Sequence, residues 1–219
     1  MISPTWFFGM DVVFQLVFTL VTLAVSFFAF KIHKLTGEPK SKLLGISFLF
    51  FAIGYFVQSF FNFAIISTLG EEICTLAKIN SIHTFELFGT YFYMMFALIG
   101  IVTLAYMTTL NTKTHNKKTY AILLVASLVG LFLSMNPVYF FYALSSLLLL
   151  FVVYYYAQNY SSNKKITSLI ILLAFIFLLL SRIHYIFAAN VATFYVLGNF
   201  LELGAYALIL IDLLLMRRK

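Results

Sequence analysis

The sequence has little charge and almost no cysteine. Charged residues make up 10% of its 219 positions, whereas a typical soluble domain has about 25%. Cys74 is the single cysteine, so an internal disulfide cannot form and the usual cysteine-based metal and redox motifs are excluded. The three prolines, Pro4, Pro39 and Pro137, leave the interiors of the long apolar runs uninterrupted. Alternating apolar and polar runs are also lacking, so we do not expect a β-barrel.

Apolar residues dominate instead. They account for 63% of the chain, and the mean hydropathy is +1.03. A chain of this length cannot bury so many apolar residues in its own core, so lipid must solvate part of them. The net charge of +7 does not indicate a nucleic-acid partner, because the basic residues lie beside helix ends and form no basic domain. We expect a multi-pass protein of the cell membrane that has the lipid bilayer as a partner.

Seven apolar runs have roughly the 17–25 residues that a membrane-spanning helix needs. They predict an all-α fold, a seven-transmembrane helix bundle that forms a single domain over residues 1–219. The predicted helices lie near 6–30, 43–66, 84–109, 119–135, 138–159, 166–187 and 191–215. Asn136-Pro137 separates the fourth helix from the fifth, because this dipeptide favours a turn and proline fits the first turn of a helix.

The basic residues predict the direction of the bundle. All except Lys78 and Arg182 follow the first, third, fifth or seventh helix. The positive-inside rule places those ends in the cytoplasm. With an odd number of spans, the N-terminus is then outside and the C-terminus cytoplasmic. Segment 68–82, after the second helix, becomes an external connection and is predicted to form a short surface helix.

Five helices carry polar residues three or four positions apart, which places them on one helical face. In a membrane such a face turns towards other helices or a water-filled cavity. The fourth helix lacks a stripe and is expected to face lipid. The stripes comprise Asp11, Gln15, Thr22 and Ser26; Tyr55, Gln58, Ser59 and Asn62; His83, Glu86, Thr90 and Tyr93; Ser181, Arg182, His184 and Tyr185; and Tyr195, Asn199, Glu202 and Tyr206.

Depth along the helices selects a candidate ligand site. A rise of about 1.5 Å per residue from the basic anchors puts four stripe residues roughly 22–26 Å from the inner surface, in the outer half of the bundle. With Asn199 they form the predicted ligand-binding set. The set is Gln15, Gln58, Arg182, Asn199 and Glu202. Polar residues of this kind can also join helices without any further function.

Arg182 and Glu202 stand out, because a lone charge at this depth costs about 2.5–3.5 kcal/mol or more. Arginine keeps its proton, so Arg182 needs an anion, water or the interface. The two depths match within about 3 Å, which predicts an ion pair. A structural pair and a ligand, ion or proton site are both left open. Asp212, close to Arg217 and Arg218, is expected to be a solvated helix-end residue.

His83, Glu86 and His184 form a second candidate site near the external end. The His-x-x-Glu spacing places the first two on one helix face, and imidazole and carboxylate groups suit zinc or copper. No other cofactor is expected. The remaining histidines, His33 and His115, lie in predicted cytoplasmic loops, which argues against a transmembrane haem.

The two halves of the chain suggest a 3+1+3 parallel repeat, because the basic pair before Gln58 parallels the basic pair before Arg182. This layout resembles that of SWEET-type sugar transporters, although their Pro-Gln signature is absent. The seventh helix has no lysine to hold retinal, which excludes microbial rhodopsins. The stretch AFKIHKLTGEPKSKLLGISFLFFAIGYFVQS, residues 29–59, resembles uncharacterised seven-helix membrane proteins of archaea with small genomes. That resemblance implies no function.

The leading functional hypothesis is a transporter or binding protein for a small solute or ion, with a polar site in the outer half of the bundle. One alternative is a ligand-sensing or scaffold protein that acts through a membrane partner or as an oligomer. Another is a metal-binding protein that uses the His/Glu cluster. No paired-carboxylate, nucleophile or phosphate-binding motif supports an enzyme. A transporter needs a path from the polar layer to the cytoplasm, whereas a sensor has a closed cytoplasmic half.

Overall fold

The structure, a computed structural model, describes residues 9–66, 82–110, 117–188 and 191–217, and helices are the only regular elements there. They are α1 (Met10–Thr36), α2 (Pro39–Ile66), α3 (Ile82–Thr109), α4 (Lys117–Leu133), α5 (Pro137–Asn163), α6 (Ile166–Phe187) and α7 (Ala192–Arg217). Six are long and apolar enough to cross a membrane, and α4, with 17 residues, is shorter. The described helices confirm the prediction of an all-α protein with several apolar helices that can cross a membrane. The predicted surface helix over 68–82, apart from residue 82, lies outside the described residues.

Several helices extend beyond their apolar runs. α1 continues to Thr36 and α2 begins at Pro39, where the apolar pattern predicts 30 and 43. Lysines end the apolar pattern, whereas backbone hydrogen bonding continues until a capping residue stops it. Gly37, with a φ of 71°, ends α1 and donates its N–H to the carbonyl of His33 at 2.8 Å. Pro39 suits the first turn of α2, so α1 and α2 form a hairpin with a two-residue connection.

Six helices close into a ring. In order round the ring, α1 packs on α2, α2 on α3, α3 on α5, α5 on α6, α6 on α7, and α7 returns to α1. The connections between α1 and α2 and between α5 and α6 are short, so these helices run antiparallel. Lys40, near the start of α2, contacts Tyr155, near the end of α5. The two connections, and with them the lysines at 31, 34, 40, 42, 164 and 165, therefore share one end of the ring, which we call the basic end. We call the opposite end, where α1, α3, α5 and α7 begin, the vestibule end.

α4 lies outside the ring against α3 and α5. At its start Tyr120 packs on Tyr106, and near its end Phe132 stacks on Tyr91 with ring centroids 6.0 Å apart. α4 is therefore antiparallel to α3 and carries the chain from the basic end to the vestibule end. Much of its outer surface is exposed and apolar, as at Ile122 and Val125, which agrees with the absence of a polar stripe.

Helices α2 and α3 approach closely at Gly100. A Cβ added there would lie 2.8 Å from the Phe51 ring and 3.0 Å from the backbone oxygen of Ser47, which cannot move aside as a side chain can. Gly100→Ala should therefore destabilise the protein by about 1–3 kcal/mol, measured as a lower unfolding temperature in detergent. Gly204→Ala is the control, because its nearest neighbour lies at an ordinary 3.5 Å. Equal losses in both variants would contradict the close approach.

Candidate functional site

A fully buried ion pair lies inside the ring. Arg182 of α6 donates from Nη2 to Oε1 of Glu202 on α7 over 2.5 Å, and each side chain is 1% exposed. The helices are consecutive and antiparallel, so positions 182 and 202 come to the same level. The ion pair predicted from matching depths is confirmed. Because desolvating two charges costs several kcal/mol for each ion, the pair also needs other hydrogen-bonding groups around it.

Three tyrosine hydroxyls surround the carboxylate of Glu202. Oε1 accepts hydrogen bonds from Tyr55 and, at 3.1 Å, from Tyr206, and Oε2 accepts one from Tyr185 at 3.1 Å. The hydroxyls of Tyr55 and Tyr206 also lie 2.7 Å apart. Each hydroxyl has one proton, so the two tyrosines together can donate only two hydrogen bonds. The three short contacts among the two hydroxyls and Oε1 therefore cannot all be hydrogen bonds at the same time. Oε2 has one donor among the described residues and keeps the capacity to accept another hydrogen bond.

Aromatic rings and hydroxyls hold the guanidinium of Arg182. Nη1 donates to the Tyr93 hydroxyl at 3.0 Å, and Nη2 lies 3.3 Å from that of Tyr55. The rings of Phe141 and Tyr185 lie 5.8 and 5.9 Å from Cζ, within cation–π range. Nε has no hydrogen-bond partner among the described residues. Side chains from α2, α3, α5, α6 and α7 thus enclose the two charges.

A partly open cavity of about 150 Å³ lies at the vestibule end, and we call it the vestibule. Two of its described lining residues, Asp11 and Glu86, are acidic, and none is a lysine or arginine. The local charge therefore favours cations. The polar lining residues are Asp11, Gln58, Asn62, Glu86, Thr90, Tyr93, Tyr142 and Tyr195.

A smaller cavity of about 20 Å³, the deep pocket, continues from the vestibule to the ion pair. It shares Gln58, Tyr93, Tyr142 and Tyr195 with the vestibule and reaches Glu202. Its volume is close to the roughly 10–15 Å³ that one water needs. The vestibule thus narrows to a space about one water wide beside the carboxylate.

The structure brings the five predicted ligand-binding residues together. Gln15, Gln58, Asn199 and Glu202 line the deep pocket, and Arg182 lies against the Glu202 carboxylate. Two of the amides also bond to protein groups. The Gln15 Oε1 accepts from Asn62 of α2 at 3.0 Å, and Asn199 donates to the Tyr195 carbonyl at 2.9 Å. These amides therefore fix the walls of the pocket as well as lining it.

The residues predicted to bind a metal have different surroundings. Glu86 lines the vestibule. His184 Nδ1 lies 2.7 Å from the carbonyl of Leu180, and its ring packs against Phe194. The His83 side chain is outside the described part of the structure. Among the described residues, no three His, Cys, Asp or Glu side chains form a candidate metal cluster. The metal site stays a prediction.

A third cavity, of about 390 Å³, lies inside the ring at the basic end, and we call it the basic-end cavity. Asp212 lines it and is fully buried, so the expectation that Asp212 is a solvated helix-end residue is wrong. α7 continues to Arg217, which leaves Asp212 more than one turn inside the helix, on its inward face.

A buried layer, which we call the central layer, separates the basic-end cavity from the deep pocket. In this layer, Phe18 also lines the deep pocket, and each of the other residues lies, along its helix, between those that line the two cavities. On α7, for example, Tyr206 and Ile209 come between Glu202 and Asp212. Every residue of the layer is at most 2% exposed. The layer comprises Phe18, Phe48, Leu98, Ile101, Phe175, Leu178, Tyr206 and Ile209.

The contribution of α5 to the site was not predicted from the sequence. Tyr142 lines both the vestibule and the deep pocket, and Phe141 packs near Arg182. Tyr142 and Ser145 lie three positions apart, and both are buried. This spacing is the signal that could have identified a sixth polar stripe.

The fold and the site together define a helical multi-pass membrane protein with a buried ion pair beneath an acidic vestibule. No family model matches the chain, and neither does any curated protein or solved structure. The resemblances to SWEET-type transporters and to archaeal seven-helix proteins therefore stay predictions.

Removal of one partner from the ion pair should leave an uncompensated buried charge. Arg182→Met and Glu202→Gln should each destabilise the protein by about 3–5 kcal/mol, and the double variant should recover part of that loss. Thermal unfolding of all four proteins in nanodiscs measures the coupling. Glu86→Gln is the control and should add independently to Arg182→Met. Strict additivity of the Arg182 and Glu202 changes would contradict a direct interaction.

Proposed function

We propose that this chain is a transporter for a small cationic or polar solute, which enters through the vestibule and reaches Glu202. The observation that carries the proposal is the arrangement of the cavities. One lies at each end of the ring, and the central layer closes the space between them. Transporters that work by alternating access hold a solute near mid-membrane and open to each side in turn. The described arrangement fits a state that is open at the vestibule end.

Charge and size favour a small cation over a larger ligand. The carboxylates of Asp11 and Glu86 line the vestibule, and acidic walls raise the local concentration of cations. The vestibule volume of about 150 Å³ exceeds the space for one water and is below the roughly 300 Å³ typical of drug-sized ligands. The free acceptor capacity of Glu202 Oε2 would receive a donor from the solute.

We also propose that α4 is a seventh membrane span. Its 17 residues would cover about 26 Å, close to the roughly 30 Å hydrocarbon core. Because α4 connects the two ends of the ring, it must cross whatever thickness the ring crosses. The ring order also fits a 3+1+3 parallel repeat, since a two-fold rotation that exchanges α1–α3 with α5–α7 maps each neighbouring pair onto another neighbouring pair. α4 is then the linker that makes the two halves parallel.

The second candidate function is a sensor that binds a ligand in the same vestibule. The closed central layer favours it, because a sensor needs no path through the bundle. The two functions differ in whether residues of the deep pocket ever become accessible from the basic end.

The proposed orientation places the N-terminus and Cys74 outside. Cys74 should react with a membrane-impermeant maleimide added to intact cells, because the basic end faces the cytoplasm under the positive-inside rule. Cysteines introduced at Lys113 and Lys165 in a Cys74→Ser background are the controls, and they should react only after lysis. The reverse pattern would overturn the orientation.

Transport predicts two-sided access to the deep pocket. In a Cys74→Ser background, Gln58→Cys should react with an impermeant methanethiosulfonate reagent added to either side of oriented proteoliposomes. The rate from the basic end should be slower, because the central layer must open first. Thr167→Cys, at the basic-end cavity, is the control for reagent access from that end. If Thr167→Cys reacts there and Gln58→Cys reacts only from the vestibule end, the chain is a sensor or binding protein and transport is wrong.

A further inference from the structure

The basic-end cavity contains a buried carboxylate that the proposed transport site does not use. Asp212 is 0% exposed, and neither carboxylate oxygen has a hydrogen-bond partner among the described residues. A buried carboxylate without donors is costly unless a cation or a proton neutralises it. Asp212 therefore requires a positively charged partner or a bound proton.

The lysine of the same cavity does not meet this requirement. Lys40 directs its Nζ to the hydroxyl of Tyr155 at 2.7 Å and lies 5.3 Å from the centre of that ring. It is partly exposed, and it makes no hydrogen bond to Asp212. Glu38, the other charged lining residue, is exposed and acidic. Asp212 thus lines the cavity, and the described residues supply no cation to its carboxylate.

The lining indicates what kind of cation would fit. The volume of about 390 Å³ lies within the roughly 300–1,000 Å³ of ligand pockets and far exceeds the size of a metal ion. A hard metal ion needs about six oxygen ligands at close range, and the described residues form no group of three candidate ligands. The walls combine the hydroxyls of Thr167 and Ser168 with the apolar side chains of Leu44, Met107 and Ile171. Such a surface suits an ammonium group attached to an apolar body.

A neighbouring groove provides room for that body. The groove has a volume of about 620 Å³ and shares Ile32, Glu38, Thr167 and Leu213 with the basic-end cavity. Its other walls combine apolar side chains such as Phe28 and Leu215 with Lys31 and Lys165. A molecule whose charged group lies at Asp212 could therefore extend an alkyl chain along the apolar side chains of this groove.

We propose that Asp212 is the counter-ion of an organic ammonium compound with a short alkyl chain, bound in the basic-end cavity. The ammonium group donates hydrogen bonds to the carboxylate, and the chain packs on Leu44, Met107 and Ile171. This site is separate from the vestibule and does not depend on transport, because the central layer lies between the two.

The test uses n-hexylammonium as the probe and n-hexanol as its neutral counterpart. Binding to the purified full-length protein in nanodiscs is measured by titration calorimetry and by the shift in unfolding temperature. Hexylammonium should bind saturably, and hexanol should bind at least tenfold more weakly. Asp212→Asn should reduce the affinity for hexylammonium at least tenfold. Glu38→Gln, which removes the exposed carboxylate of the same cavity, should change it less than twofold.

Two further measurements keep the proposal testable if Asp212→Asn does not fold. Ile171→Trp fills the cavity while it retains the carboxylate, and it should abolish hexylammonium binding. Infrared spectra of the wild-type protein should show an ionised Asp212 carboxylate when hexylammonium is bound. A protonated carboxylic acid band that persists at saturating hexylammonium would overturn the proposal.

Other outcomes would also reject it. If sodium chloride gives the same saturable stabilisation and hexylammonium adds nothing, the cavity takes an inorganic cation. If Asp11→Asn removes hexylammonium binding and Ile171→Trp does not, the compound binds in the vestibule. Neither result would alter the two-sided access test at Gln58, so failure of this site and failure of transport can be distinguished.

Discussion

One arginine that cannot lose its charge imposes the main constraint on this bundle. Arg182 is 1% exposed inside a ring of apolar helices, and neither lipid nor the packed core can solvate it. Glu202 balances the charge, but a bare pair would still carry a large desolvation cost. The hydroxyls of Tyr55, Tyr93 and Tyr206 reduce that cost, and they come from three helices. The relative positions of these helices therefore depend on the hydrogen bonds and the counter-charge that one guanidinium group requires.

Tyrosine suits the positions around the ion pair because its ring packs with apolar groups while its hydroxyl forms hydrogen bonds. The rings of Tyr55 and Tyr206 pack on Phe18, Tyr206 also packs on Phe48, and Tyr93 packs on Tyr55. All three rings thus contribute apolar contacts. Their hydroxyls contact Arg182 and Glu202 on the side of the same cluster that faces the vestibule end. Charge neutralisation and closure of the bundle thus depend on the same side chains. A solute that drew the Glu202 carboxylate towards itself would also disturb the packing that separates the two cavities.

Features that depend on one helix at a time were predictable from the sequence. The apolar run 166–187 matches Ile166–Phe187, and the fixed helical rise placed Arg182 and Glu202 at one level. Features that depend on the rotation of several helices were not. Periodicity gives each helix a polar face, but it does not specify the neighbour that the face meets. The tyrosine contacts to the ion pair and the position of Tyr142 in the cavity walls therefore could not be identified until the order of the helices round the ring was known.

The error at Asp212 has the same origin. Its closeness to Arg217 and Arg218 suggested a solvated residue at the helix end, but position along a helix does not reveal which way a side chain turns. On α7 the inward face passes through Glu202, Tyr206, Ile209 and Asp212, at steps of four, three and three residues. Extension of the Glu202 stripe by two more steps would have placed Asp212 inside the ring.

The position of the ion pair on consecutive helices has a consequence for biosynthesis. The ribosome completes α6 before α7, so Arg182 enters the translocation channel before its partner carboxylate does. The rest of α6, with its long run of leucine, isoleucine and phenylalanine, favours entry into lipid, whereas the arginine opposes it. The short connection to α7 resolves this conflict, because the two helices can leave the channel laterally as a preassembled hairpin. The chain order of arginine and glutamate thus determines when this part of the protein becomes compatible with the bilayer.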